Sequence, residues 1–164
     1  MSRSATRSAS RPTTRALGVG DPAPDFSLRD LDNRVVSLSN LKGRVVVLIF
    51  GSISSPSFRS AVPSIERLRA EVGSRAMIYV IYTREAHPAG GWEVERNRRD
   101  NLRVEQPTTE EGRRKLADQA RSTLKLQTPI LVDGMDDRVT ESFGGFPNAA
   151  VIIGRDQVIA FRQE

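Results

Sequence analysis

Apolar positions along the chain change period several times, and each change marks an element. Phe26-Ser27-Leu28 and Val35-Val36-Ser37-Leu38 alternate around Asp32-Asn33, which predicts a small hairpin. Ser39 is expected to cap a short turn ending at Gly43. Arg44 to Phe50 is a near-continuous apolar, β-branched run, the pattern of a strand covered on both faces. The period then switches. Phe58, Ala61, Val62, Ile65, Leu68 and Val72 recur at helical spacing, Pro56 opens the helix, Gly73 stops it, and Pro63 predicts a kink. Met77 to Tyr82 reads as a second buried strand. Strand, helix and strand together predict a right-handed parallel crossover.

The C-terminal half is read the same way. Glu93 to Arg103 is charged throughout and is expected to be an exposed helix or loop. Thr108 and Glu111 have capping-box spacing ahead of a helix reaching about Leu124. Ile130-Leu131-Val132 predicts a short buried strand, and Arg138 to Phe143 a helical turn ended by Gly144-Gly145. Ala149 to Ile153 and Val158 to Phe161 form a hairpin across Gly154-Arg155-Asp156. This order of elements is the thioredoxin-like α/β arrangement: a central mixed sheet flanked by helices, here with an N-terminal hairpin. The last helix of that fold is not expected, since the chain stops at Glu164.

Composition adjusts this reading in three ways. The net charge of +5 is concentrated in the first residues, where Arg3, Arg7, Arg11 and Arg15 stand without an acid. Residues 1–19 are therefore expected to be a disordered basic tail, and 20–164 one near-neutral domain, with no nucleic-acid partner. No apolar stretch has the length of a membrane span, so no membrane partner is expected and a cytoplasmic location is. There is no cysteine, which excludes disulfides, thiolate metal sites and redox cycles run on the chain's own thiols. Asp133, Asp136 and Asp137 lack the spacing and closing glutamate of a calcium loop, so no metal is expected.

The chemistry concentrates at two strand ends. The segment Phe50-Gly51-Ser52-Ile53-Ser54-Ser55-Pro56-Ser57-Phe58 carries a strand into a helix N-terminus. Unpaired N–H groups there favour an anion or a low-pKa nucleophile. The second segment is Ile81-Tyr82-Thr83-Arg84-Glu85-Ala86-His87-Pro88-Ala89-Gly90-Gly91-Trp92, with the only histidine and the only tryptophan. Ser55 before Pro56 also fits a plain cap followed by the first helical residue. Glu85 and His87, two apart, would share a face if strand geometry persisted, either as a site or as a buried bonded pair. Ser52 and Ser54 read as loop hydrogen-bonders. Arg96, Arg98, Arg99 and Arg103 are interleaved with Glu93, Glu95, Asp100 and Glu105, the pattern of a solvated ion-paired face.

Together the two segments resemble the iodothyronine deiodinase family, and Gly20-Asp21-Pro22-Ala23-Pro24-Asp25-Phe26 resembles the opening of the wider redoxin group. The resemblance implies a thiol- or selenol-dependent reduction with no bound cofactor and a small-molecule or thiol partner. It implies that Ser55 stands where the family has selenocysteine or cysteine, and Ile53 where it often has cysteine. Glu85 and His87 match an acid and a histidine of the site. Trp92 is expected either to line the cleft or to staple its loop to the core. Pro147 matches the cis-proline beside thioredoxin-like sites. The family's second histidine and its arginine after the proline have no counterpart, for Asn148 and Ala149 follow Pro147. Three readings follow: a binding protein descended from a redox enzyme, an oxidoreductase working with an external thiol, and a Ser55–His87–Glu85 hydrolase. A homodimer is left open.

Overall fold

The computed structural model describes residues 16–164. Most of the basic segment 1–19 therefore lies outside the described residues. Leu17 already packs against the core, and the Gly18 N–H donates to the Asp21 carboxylate at 2.7 Å.

Seven strands form one sheet. They are β1 (Ser27–Asp30), β2 (Val35–Ser37), β3 (Val45–Gly51), β4 (Ala76–Tyr82), β5 (Ile130–Val132), β6 (Ala149–Ile153) and β7 (Ile159–Gln163), in the spatial order β2-β1-β5-β4-β3-β6-β7. The β3–β4 and β4–β5 pairs are parallel and the rest antiparallel, so the sheet is mixed as expected. Among the described residues four α-helices accompany it: α1 (Pro56–Val72), α2 (Glu95–Arg99), α3 (Glu110–Leu124) and α4 (Arg138–Phe143). The last strand starts one residue later than the apolar run suggests, because Val158 instead bridges to Pro22.

The alternation within each strand sorts the core into two layers. Val46, Leu48 and Phe50 join Ile81, Leu131, Val151 and Ile153 on one face, under Val139 and Phe143 of α4. Val80, Tyr82, Ile130 and Val132 face the other way, against Phe58, Val62 and Ile65 of α1 and Ala117 and Ala120 of α3. Helices thus cover both faces, and β3 lies inside the sheet between β4 and β6.

Two expected caps are corrected. The 3-10 turn Leu38–Leu41 has no side-chain cap, and Ser39 contributes only its N–H, which donates to Asp25 Oδ1 at 2.9 Å. The cap of α3 is Thr109 rather than Thr108: its hydroxyl accepts from the Gly112 N–H at 3.1 Å. That one-residue offset puts Gly112 at the third helical position, so the reciprocal contact from Glu111 has no place. Pro63 lies inside α1 without ending it. The charged segment is ion-paired, Arg96 to Asp100, Arg98 and Arg99 to Glu95, and Arg103 to Glu93.

Glu66 ties α1 to the start of β5. Its Oε1 accepts from Gln127 N, Thr128 N and Thr128 Oγ1, and its Oε2 receives Arg69 Nε at 3.0 Å. Burial raises its pKa, but these donors outweigh it and hold the carboxyl below its ordinary value. A depressed folded pKa gives stability that is present above the unfolded value and lost as pH falls through the folded one. Glu66→Gln should therefore destabilise the fold at neutral pH by roughly 1–2 kcal/mol. The difference from the unmodified chain should shrink as pH falls below the usual carboxylate range. Urea midpoints across that range measure it, and a pH-independent difference would contradict the assignment.

Candidate functional site

The site forms where the carboxyl ends of β3 and β4 meet the N-terminus of α1, the position at which open α/β sheets carry their ligands. Gly51 ends β3 because Phe58 of α1 leaves no room for a side chain there: a Cβ on Gly51 would lie 2.3 Å from Phe58 Cδ2. This contact brings the start of α1 down onto the strand end. The connecting residues Ser52, Ile53, Ser54 and Ser55 are all buried.

Ser55 caps α1. Its Oγ accepts from the Phe58 N–H at 3.3 Å and donates to Asn148 Oδ1 at 3.4 Å. Asn148 follows Pro147, whose peptide bond to Phe146 is cis, as the resemblance implies. Ser55 and the cis-proline loop are therefore neighbours.

Ser54 uses every polar atom it has. Its N–H donates to Glu85 Oε2 at 3.0 Å, its hydroxyl accepts from the His87 N–H at 3.1 Å, and its carbonyl accepts from Asn97 Nδ2 at 2.8 Å. Ser52 Oγ accepts from the Ala86 N–H at 3.1 Å. Two loops that are distant in sequence are thus stitched together by serine side chains. Gln106 adds a two-point clamp, accepting from Glu85 N at 3.0 Å and donating to Glu85 O at 3.2 Å.

Glu85 is 2% exposed and receives the Tyr82 hydroxyl on Oε1 at 2.5 Å. The same hydroxyl accepts from Ile53 N at 3.1 Å. Burial, and then the charge of Glu85, push the Tyr82 phenol well above its ordinary pKa, so it stays a neutral donor.

His87 and Glu85 do not share a face. β4 ends at Tyr82, so the strand alternation that would align them has already stopped. Glu85 turns inward beneath Ser54, while His87 Nδ1 bonds the Trp92 carbonyl at 2.8 Å. A carbonyl only accepts, so that nitrogen carries the proton. The triad of the hydrolase reading is not assembled: the partners of Ser55 Oγ are Phe58 and Asn148, and Glu85 does not orient His87. Trp92 is 76% exposed, its ring edge-on to His87 with 4.9 Å between centroids, so it does not staple the loop to the core. His87 lines a cavity of about 350 Å³ together with Glu93, Asn97, Arg98, Leu102 and Arg103. Arg84 lies 4.0 Å over the Phe146 ring and pairs with Asp137 and Glu141 of the α4 region.

Ser55, Glu85, His87 and Pro147 therefore converge, with Trp92 at the outer edge. Ser52 and Ser54 are loop hydrogen-bonders as expected, but sequence reasoning missed their partners Asn97 and Glu85, the clamp Gln106, and Asn148 as the partner of Ser55. None of these lies on a periodic apolar face, and each acts across tens of residues.

The architecture belongs to the thioredoxin-like class. The chain superposes on the thioredoxin domain of a thiol-disulfide oxidoreductase from Bacteroides vulgatus with a TM-score of 0.63 at 21% identity, covering 91% of this chain and 90% of that one. A thiol:disulfide interchange protein from Bacteroides sp. gives a TM-score of 0.65 at 20% identity, covering 90% and 82%. Within that class the chain is a member of the iodothyronine deiodinase family, whose family model matches residues 11–163. It is 30% identical over 117 residues to the type II iodothyronine deiodinase of Sus scrofa, covering 70% of this chain and 44% of that one. To the thyroxine 5-deiodinase of Gallus gallus it is 28% identical over 149 residues, covering 88% and 56%. The chain spans about half the length of the curated relatives it matches. Among the described residues no helix is long and apolar enough to cross a membrane.

Proposed function

We propose that this chain keeps the deiodinase cleft without the deiodinase nucleophile, and works by binding a small aromatic or thiol ligand rather than by reducing it. The observation that carries this reading is Ser55. Its hydroxyl occupies the cap of α1, between the Phe58 N–H and Asn148, in a chain that has no cysteine. Reduction in this family passes through a chalcogen that bonds to substrate or thiol and is then released. A serine hydroxyl has no easily reached anion and no reversible oxidation step, so it cannot run that cycle. His87, Trp92 and Pro147 are the residues we assign to ligand contact.

The test is turnover. With dithiothreitol as reductant, the unmodified protein should release iodide from thyroxine, and consume peroxide, at the buffer rate. Turnover above that rate would overturn the reading in favour of an oxidoreductase using an external thiol. So would a selenocysteine-type codon at position 55 of the gene.

A further inference from the structure

The near-neutral charge of residues 20–164, which argues against a nucleic-acid partner, averages over an uneven distribution. Three turns at the amino ends of β3 and β4, opposite the candidate site, collect basic side chains. Lys42 and Arg44 precede β3, Arg75 precedes β4, and Arg155 lies in the turn between β6 and β7. All four are exposed. The turns touch one another: Gly43 N donates to Arg155 O at 2.9 Å, and Arg44 Nη2 to Ser74 O at 2.8 Å. None of the four makes an ion pair among the described residues. Arg44 and Arg75 bond only uncharged partners such as the Ser74, Val72 and Glu71 carbonyls, which holds each guanidinium without neutralising it. The acids bordering these turns are Asp21, Glu71 and Asp156, and Asp156 Oδ1 is turned back on the Val158 N–H at 3.2 Å. The chain enters at the same end, where Gly20 N donates to Ile159 O and Pro22 bridges to Val158. Arg3, Arg7, Arg11 and Arg15 stand just upstream, with no acid among them.

We propose that this end of the molecule binds the phosphate backbone of duplex nucleic acid, without reading its sequence. A phosphodiester backbone is a regular array of anions. Unpaired cations on adjoining turns, with a basic segment attached beside them, suit such an array. Seven of the eight cations are arginine, whose planar fork matches phosphate oxygens. The turns carry no aromatic side chain on which a base could stack, which favours a duplex over a single strand. They carry no apolar side chain either, and stable anchoring at a lipid surface takes a second signal besides charge. Phosphate contacts carry no base information, so affinity is set by charge and salt. The surface lies at the far end of the sheet from Ser55 and does not depend on what the cleft binds.

Fluorescence anisotropy of the full chain with a labelled mixed-sequence duplex of about 20 base pairs tests this. In about 50 mM salt the Kd should be micromolar or tighter, and the slope of log K against log salt roughly −5, as for about six neutralised phosphates. Lys42→Glu with Arg155→Glu changes two side chains that have no hydrogen bond or ion pair among the described residues. That double variant should bind about tenfold more weakly or worse, with a folded circular-dichroism spectrum. Arg99→Gln, in α2 at the cleft end, should leave the affinity unchanged. A Kd weaker than about 100 μM at that salt overturns the proposal. So does unchanged affinity in the folded double variant. Equal affinity for vesicles of phosphatidylcholine and phosphatidylserine overturns it as well, and assigns the surface to a membrane.

Discussion

Replacing Ser55 with cysteine should create a thiol that ionises well below the free value of about 8.5. The Phe58 N–H, 3.3 Å from the hydroxyl oxygen, would donate to the sulfur, and the 17-residue α1 aims the positive end of its dipole at it. A charge-assisted bond and a helix terminus each favour the anion by about 1 kcal/mol or more, and cysteines mounted this way titrate from about 3.5 to 7.5. Burial acts in the opposite direction, for Ser55 is 2% exposed, and the Glu85 carboxylate one residue away adds to it. The donors are fixed by the fold and aimed at the atom, so we expect them to win, with a midpoint near 7. Ultraviolet absorbance of the thiolate against pH reads it directly, without requiring a reagent to reach a buried atom. A midpoint at or above the free value would mean that the mount no longer activates a nucleophile, and that restoring a thiol would not restore the family's chemistry.

Glu85→Ala is expected to be the most destabilising single change at the site. It strips the partner from two buried donors, the Tyr82 hydroxyl and the Ser54 N–H. Each unsatisfied buried donor costs about 1–3 kcal/mol, so a loss of roughly 3 kcal/mol is expected. In a domain of this size that lowers Tm by about 6–12 °C. Glu85→Gln keeps one acceptor but turns an NH₂ towards the other donor, and should fall between the two. Thermal unfolding of the three proteins decides it. Equal Tm values would show that water replaces the carboxylate and that the network is not what holds the loop.

The frame of the fold was legible because it rests on local period. The apolar run of β3, the helical spacing from Phe58 to Val72 and the second run of β4 predict the crossover, and Ser55-Pro56 marks the helix start that carries the site. The cis Phe146–Pro147 bond came from resemblance, while the nearness of Glu85 and His87 to that start also follows from parallel strands carrying their sites at the carboxyl ends. What stayed hidden was the stitching. Asn97 sits inside a run of arginines and reads as one more solvated residue, yet it is 5% exposed and holds the Ser54 carbonyl across 43 positions. Arg113 looks like any charge on an amphipathic helix, yet it is 2% exposed and reaches the Asp133 and Gly134 carbonyls and Asp137. Such contacts have no period and no spacing rule. The Glu85–His87 alignment failed for a related reason: it extended a strand two turns of the pleat past its last ladder bond.

Gln106 has a consequence for how this protein can vary. Its amide grips both backbone groups of Glu85, and just inside it the Ala89 N–H donates to the Val104 carbonyl at 2.7 Å. The segment between them thus leaves and rejoins the domain through one closed neck, with Asn97 as its inward peg. Positions distal to that neck can be lengthened or recharged without moving the strand end that carries Glu85, provided the neck, Asn97, the Trp92 carbonyl on His87 and the Arg59–Asp100 pair are kept. Because Glu93, Arg98, Leu102 and Arg103 also wall the cavity beside His87, variation in this excursion reshapes what the cleft can hold while the strand end beneath it stays fixed.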